Sequence, residues 1–175
     1  MPQSNEWKSL EARIVAIEDI EAIKRLKARY AAAADAKYTA DHQQKPQEEI
    51  DKFARVQVNL FTEDAIWDGR PQWEYSVGRE AFYETARRSV WSMATHYFLM
   101  PNIIVDGESA TGTWYLWQTG TLLAGNRSMI MSAVTTDEYK KISGEWLISK
   151  TVFTLKYLTP IDVPWSTNKN VPFSV

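Results

Sequence analysis

Apolar and polar positions repeat with two different periods along this chain, and the period changes near its middle. Ile17, Ile20, Ile23, Leu26 and Tyr30 recur three and four residues apart, with Glu21, Lys24, Arg25 and Lys27 between them. That spacing predicts an amphipathic helix. Glu18 and Asp19 suit its N-terminal turn, where carboxylates meet the positive end of the helix dipole. Ala31 to Ala34 then strip the helix of bulk just before Asp35, which serves either close helix packing or a space for a ligand. The polar run from Thr39 to Glu49 predicts a loop, with His42 as a solvated surface histidine. Ile50, Phe53, Val56 and Leu60 mark a second helix, and Gly78 to Val90 a third with Phe82 and Ala86 facing inward. Between these two helices, Ala65-Ile-Trp67 reads as a short strand closing at Asp68-Gly69.

From Met93 onward the pattern is that of strands: Met93 to Val105, Ser109 to Leu122, Arg127 to Ile142 and Glu145 to Leu158. The turns between them, Asp106-Gly107, Gly125-Asn126 and Ser143-Gly144, carry hairpin chemistry, so the sheet should be antiparallel and meandering. Trp114, Leu116 and Leu122 share one face of the second long strand, and Tyr115 and Trp117 the other. Neither face is polar enough for water. One should cover the helices and the other meet a second subunit. Helices followed by strands predict an α+β fold, a curved sheet wrapped over helices, in a single domain spanning 1–175 with its core at about 17–160.

A 175-residue chain can bury one substantial core. Its net charge of −2, with both signs interspersed, gives no electrostatic reason to expect nucleic acid or a membrane as partner. The absence of cysteine excludes disulfides and thiolate chemistry. The first residues have no apolar core like that of a signal peptide, and no stretch is long enough to span a bilayer, so a cytoplasmic protein is expected. Two histidines and no cysteine cannot build an ordinary zinc site, and neither a phosphate loop nor a dinucleotide fingerprint is present. No cofactor or metal is therefore expected. The 22 aromatic residues are more than a small core needs, which points to a bulky core, an apolar cavity or an interface.

His96 is where chemistry enters. It opens the apolar run His96-Tyr-Phe-Leu-Met and should sit at the start of a buried strand. A buried imidazole needs a partner for its polar groups, and Asp35, at the end of the alanine run, is the natural one. If they meet in a cavity, the carboxylate fixes the tautomer and stabilises the imidazolium, making His96 a general base. A satisfied structural histidine is the alternative. Glu63-Asp64 and Asp137-Glu138 look like paired carboxylates but read as solvated strand or helix ends.

The order of elements and these residues resemble the SnoaL-like group of the nuclear-transport-factor-2-like superfamily, from about Ile17 to Pro160. The matching pieces include Ile20-Glu-Ala-Ile-Lys-Arg-Leu with Tyr30 and Asp35, Phe61-Thr-Glu-Asp-Ala, Thr95-His96-Tyr97 and Gly144-Glu-Trp146-Leu-Ile-Ser-Lys150. Within that group the chain is similar to the hexachlorocyclohexane dehydrochlorinases and bile-acid dehydratases, and more distantly to the scytalone dehydratases. The resemblance implies a cone-shaped barrel enclosing a deep pocket, and a catalytic dyad of Asp35 and His96. Tyr30 matches a tyrosine of the bile-acid enzymes, where the dehydrochlorinases have a lysine; it either donates a hydrogen bond to substrate or simply packs in the core. The chain departs from the dehydrochlorinases at Thr151, where they carry a functional arginine, and in the longer segment between Asp35 and Phe61, which could reshape the pocket mouth or act as a lid. Strand alternation puts neighbouring Lys150 on the opposite face.

The resemblance thus implies a cofactor-independent lyase, a dehydratase or dehydrohalogenase, acting on a hydrophobic cyclic substrate. The alternatives are a ketosteroid-isomerase or polyketide-cyclase-like enzyme, with Asp35 as the base, and a non-catalytic ligand-binding or dioxygenase small subunit. A homotrimer is expected, with a dimer as the alternative. The last segment, with three prolines and with Ile161, Val163, Trp165, Val171 and Phe173, should pack over the pocket mouth or a neighbouring subunit.

Overall fold

The computed structural model describes residues 3–161. The expectations for the tail beyond Ile161 lie outside the described residues. Helix α1 spans Gln3–Asp35 and α2 Gln47–Val58; α3 covers Arg79–Ala86. The strands are β1 (Phe61–Asp68), β2 (Tyr75–Val77), β3 (Trp91–Asp106), β4 (Ser109–Leu122), β5 (Ser128–Ile142) and β6 (Glu145–Pro160).

They form one six-stranded sheet in the order β2-β1-β6-β5-β4-β3. The long strands β3 to β6 pair antiparallel, as their hairpin turns predict. Strand β1 runs parallel to β6, so the sheet is mixed. Breaks in register at Leu99/Asn102, Ser132/Ala133 and Glu138/Tyr139 bend the ladder. The wall is therefore a curved open sheet with β2 and β3 at its edges, rather than a closed barrel. Pro101 lies in edge strand β3 at one of these breaks, where a residue without an N–H costs no ladder bond.

Helix α1 begins well before Ile17. No glycine or proline interrupts residues 3–35, so nothing in the backbone stops the helix. Trp7, Leu10, Ile14 and Ile17 are exposed on this first half. Ile17 is thus not a core residue, and burial starts at Asp19. Asp19 is not a solvated first-turn carboxylate either. It is buried, and its Oδ1 accepts hydrogen bonds from Lys141 Nζ at 2.7 Å and Trp146 Nε1 at 2.8 Å. Ile23 and Leu26 pack in one cluster with Val58, Phe61, Trp114 and Ile148, and the buried face continues to Ala33 and Ala34. Burying each large aliphatic side chain of that face contributes about 1.5–3 kcal/mol.

On β4 the inward residues Trp114, Leu116, Gln118 and Gly120 alternate with outward Tyr115 and Trp117. Helix α3 is shorter than the Gly78–Val90 pattern predicts and ends at Ala86, but Phe82 and Ala86 are buried as expected. The short strand β2, which no sequence pattern signals, pairs with β1 through Ile66, Trp67 and Asp68.

Candidate active site

The inward face of the sheet, the second half of α1 and the segment after α3 enclose a cavity of about 200 Å³. Tyr30, Ala34, His96 and Phe98 line it, with Trp67, Trp73 and Trp91 forming much of its aromatic wall. Ala34 confirms part of the alanine pattern: its small side chain leaves space beside the end of α1.

At that end the carboxylate of Asp35 meets His96. Oδ1 stands 2.6 Å from His96 Nδ1, and both carboxylate oxygens lie 3.2 Å from the His96 backbone N–H. Three contacts thus hold the pair, and a carboxylate acceptor assigns the proton to Nδ1. The second ring nitrogen, Nε2, then keeps its lone pair, and it makes no hydrogen bond among the described residues. Neither side chain is sealed: His96 retains 18% and Asp35 28% of its side-chain exposure.

Tyr30 stands one helical turn before Ala34 on the same face. It touches Phe61 and Phe98 edge-on, with ring centroids 5.9 and 5.8 Å away. Burial pushes its hydroxyl up to about 12; nearby Asp137 adds to the rise, and Gln57 and Trp67 oppose it. Burial thus favours the neutral form of Tyr30.

Several groups escaped the sequence pattern. Lys27, expected on the solvated flank of α1, is buried at the cavity floor. Its Nζ donates to Asp137 Oδ2 at 2.6 Å and Thr135 Oγ1 at 3.2 Å, and lies 4.2 Å from the Phe98 ring centroid. Asp137, expected at a solvated end, is fully buried inside β5, while Glu138 faces out to Lys150 at 3.1 Å. Thr151 Oγ1 and Tyr139 Oη donate to Asp137 at 2.8 and 2.9 Å, and Trp114 Nε1 donates to Tyr139 at 2.9 Å. So the inward position is Thr151, as strand alternation requires, and it completes this floor. Burial pushes the Lys27 ammonium down, and Asp137 pulls it back up.

The signal for Lys27 was present. It stands four residues after Ile23 and three before Tyr30, within the apolar stripe. Asp137 likewise alternates with Ala133, Thr135 and Tyr139 on one strand face.

The segment after Asp35 contributes to the cavity wall. Lys37 and Tyr38 line the cavity; Lys37 Nζ donates to the Ala86 carbonyl at 2.8 Å, and Tyr38 Oη meets Ser89 Oγ at 2.7 Å. Gln44 Nε2 donates to the Trp91 carbonyl at 2.8 Å. Burial lowers the Lys37 amine to about 8, against the pull of Asp35. His42 is exposed, as expected. The carboxylates Glu63 and Asp64 also face solvent.

The sequence pattern of the SnoaL-like domain matches residues 50–152, more than half of the chain. The chain belongs to the SnoaL-like domain family. Gamma-hexachlorocyclohexane dehydrochlorinase of Sphingobium indicum is 29% identical over 108 residues, 59% of this chain and 69% of that one. Hexachlorocyclohexane dehydrochlorinase 1 of the same species is 28% identical over 108 residues, 59% of this chain and 70% of that one. Among solved structures, a type 2 hexachlorocyclohexane dehydrochlorinase, LinA, superposes with a TM-score of 0.69 at 21% identity, covering 83% of this chain and 90% of that one. A protein of Novosphingobium aromaticivorans described as a scytalone dehydratase gives 0.68 at 16% identity, covering 85% and 91%. At such identities these superpositions show the shared α+β fold alone. No helix among the described residues is long and apolar enough to cross a membrane.

Proposed function

We propose that this SnoaL-like chain is a cofactor-independent lyase in which His96 removes a proton from carbon in a hydrophobic cyclic substrate. The observation that supports it is the contact of 2.6 Å between His96 Nδ1 and Asp35 on a ring that also lines the cavity. Nε2 takes the proton, and the C–H electron pair becomes a new C=C bond, directly or through an enolate. The bond from the neighbouring carbon to its leaving group breaks, and that group departs with its electron pair. The imidazolium then returns the proton, so the net products are an alkene and water or a hydrogen halide. Asp35 stabilises the imidazolium in a site of low dielectric. Tyr30 donates a hydrogen bond to the substrate carbonyl or to the departing group.

Both Asp35 oxygens are occupied by His96. That speaks for histidine as the base and against the carboxylate base of a ketosteroid-isomerase or polyketide-cyclase-like enzyme. A purely structural or ligand-binding subunit gives no reason to hold both groups at a cavity wall. The names of the relatives direct the test. Halide release from hexachlorocyclohexane and water loss from cyclic β-hydroxy ketones would be followed with wild type and His96→Ala. Elimination by wild type, reduced about 10²–10⁴-fold in the variant, is expected; equal turnover by the two would overturn the proposal.

The assembly is part of the same proposal. Tyr97, Leu99, Tyr115 and Trp117 form an exposed apolar patch on the outward face of β3 and β4. Such a patch suits a homotrimer, and a single-chain mass in sedimentation at micromolar concentration would contradict it.

A further inference from the structure

Two amides in the cavity wall have no part in the dyad or in the floor network. Gln118 and Gln57 both line the cavity, and they retain only 2% and 4% of their exposure. Gln118 Nε2 is a buried donor and Gln57 Oε1 a buried acceptor, each without a hydrogen-bond partner among the described residues. Both stand where an apolar residue would fit the pattern. Gln118 follows Trp114 and Leu116 on the inward face of β4, and Gln57 shares the buried face of α2 with Ile50, Ala54 and Val58.

A buried polar atom without a partner costs stability, because its lost hydration is not replaced. Leucine in either place would avoid that cost. Their placement relative to the dyad is specific. Gln118 is the cross-strand partner of His96, so the two side chains leave neighbouring positions on one sheet face, about 5 Å apart at Cβ. Gln57 lines the same cavity as Tyr30, from the α2 side.

We infer that Gln118 and Gln57 set the specificity of the cavity, selecting a ring that carries a carbonyl oxygen beside His96 and a hydroxyl beside Tyr30. The inference rests on the lyase proposal for its meaning but not for its test. A carbonyl oxygen accepts from Gln118 Nε2, and a hydroxyl donates to Gln57 Oε1. A hydrocarbon does neither. A halogenated ring has no donor for Gln57 and only a weak acceptor for Gln118. Sites built around buried polar groups reject ligands that leave those groups unpaired, so the pair disfavours halocarbons and favours an oxygenated ring. The carbonyl position is also chemically apt. The carbon next to a carbonyl is where a C–H is acidic, and the charge that develops on the oxygen when His96 takes the proton would meet the Gln118 N–H.

Three bicyclic probes of similar size, none with a leaving group, separate the two contacts: tetralin, 1-tetralone and 6-hydroxy-1-tetralone. Their binding to the full chain can be read from the fluorescence of Trp67, Trp73 and Trp91, which line the cavity. Wild type should gain about tenfold in affinity for the carbonyl and about tenfold more for the hydroxyl, about 1.4 kcal/mol each. Gln118→Leu should abolish the first step and Gln57→Leu the second, without loss of thermal stability, because each removes an unpaired buried group. Should a leucine variant fail to fold, Gln118→Met and Gln57→Met keep the side-chain length and carry the same prediction. A wild-type series flat to within twofold, or variants that keep both steps, overturns the inference. Elimination with a flat series would therefore sink this inference and spare the lyase proposal, and an intact series without elimination would do the reverse.

Discussion

Of the ionisable pairs that fasten α1 to the sheet, Lys27–Asp137 and Asp35–His96 are built for opposite ends. Lys27 and Asp35 stand about 12 Å apart along the helix, at roughly 1.5 Å per residue. At the floor, Lys27 and Asp137 keep 2% and 0% of their side-chain exposure. Every strong contact there is protein to protein: Thr135, Thr151 and Tyr139 complete the hydrogen bonds and Trp114 braces Tyr139. At the rim, Asp35 and His96 are partly open, and Nε2 makes no hydrogen bond among the described residues. A charged pair that is fully satisfied holds a structure together. One that leaves a basic atom facing a cavity can do chemistry. Burial alone would have picked the wrong pair, and it is the unspent hydrogen-bonding capacity that separates them.

The comparison can be broken first at the floor, where the largest effect on folding is expected. Lys27→Met or Asp137→Asn should lower the unfolding free energy by about 3–5 kcal/mol, since each strands a buried partner. Lys27→Met combined with Asp137→Leu should recover part of that loss, and chemical denaturation of the three variants would measure it. A near-neutral Lys27→Met would show that the floor is not structural.

In the cavity wall, Lys37 sharpens the contrast through pH. Its folded-state value of about 8 lies below the ordinary 10.5 of a lysine. The unfolded chain therefore binds more protons across that interval, and stability should rise with pH between about 8 and 10.5. The full contribution is on the order of 3 kcal/mol. Lys37→Met should flatten that rise in denaturation curves taken at successive pH values. An unchanged slope would remove Lys37 as its source.

Tyr30→Phe should have the smallest effect. It removes one hydroxyl and keeps the ring contacts with Phe61 and Phe98. A single neutral hydrogen bond is worth about 0.5–1.5 kcal/mol, so elimination should slow roughly tenfold with the fold intact. A loss as deep as that of His96→Ala would give Tyr30 a part in proton transfer.

Much of this was legible in the sequence. The turns at Gly107, Asn126 and Gly144 separate β3 to β6 within about two residues of their predicted ends, and Asp35 and His96 do lie in contact. Both successes rest on local signals, turn chemistry and a polar residue within an apolar run. The failures share a cause as well. Lys27 reads as a surface cation because its partner Asp137 lies 110 residues away, and each charge is tolerable inside only because the other is there. Asp19 and Lys141, 122 residues apart, repeat the case. Gln57 and Gln118 sit on faces whose period predicts burial, yet polarity alone marks them as exposed. Ile17 errs the other way, apolar and in step but beyond the stretch of α1 that the core covers. Spacing along a chain identifies a face; what that face meets is decided by segments far away in sequence.

The central claim is that His96, and not another group of the cavity, takes a proton from carbon. 1-Tetralone has acidic hydrogens next to its carbonyl and no leaving group, so proton abstraction can be followed without elimination. Mass spectrometry of this ketone after incubation in heavy water would count the deuterium taken up at that carbon. Wild type should exchange it well above the rate in buffer, Lys27→Met should still do so wherever it remains folded, and His96→Ala should fall to the buffer rate. Equal uptake by wild type and His96→Ala would contradict the account.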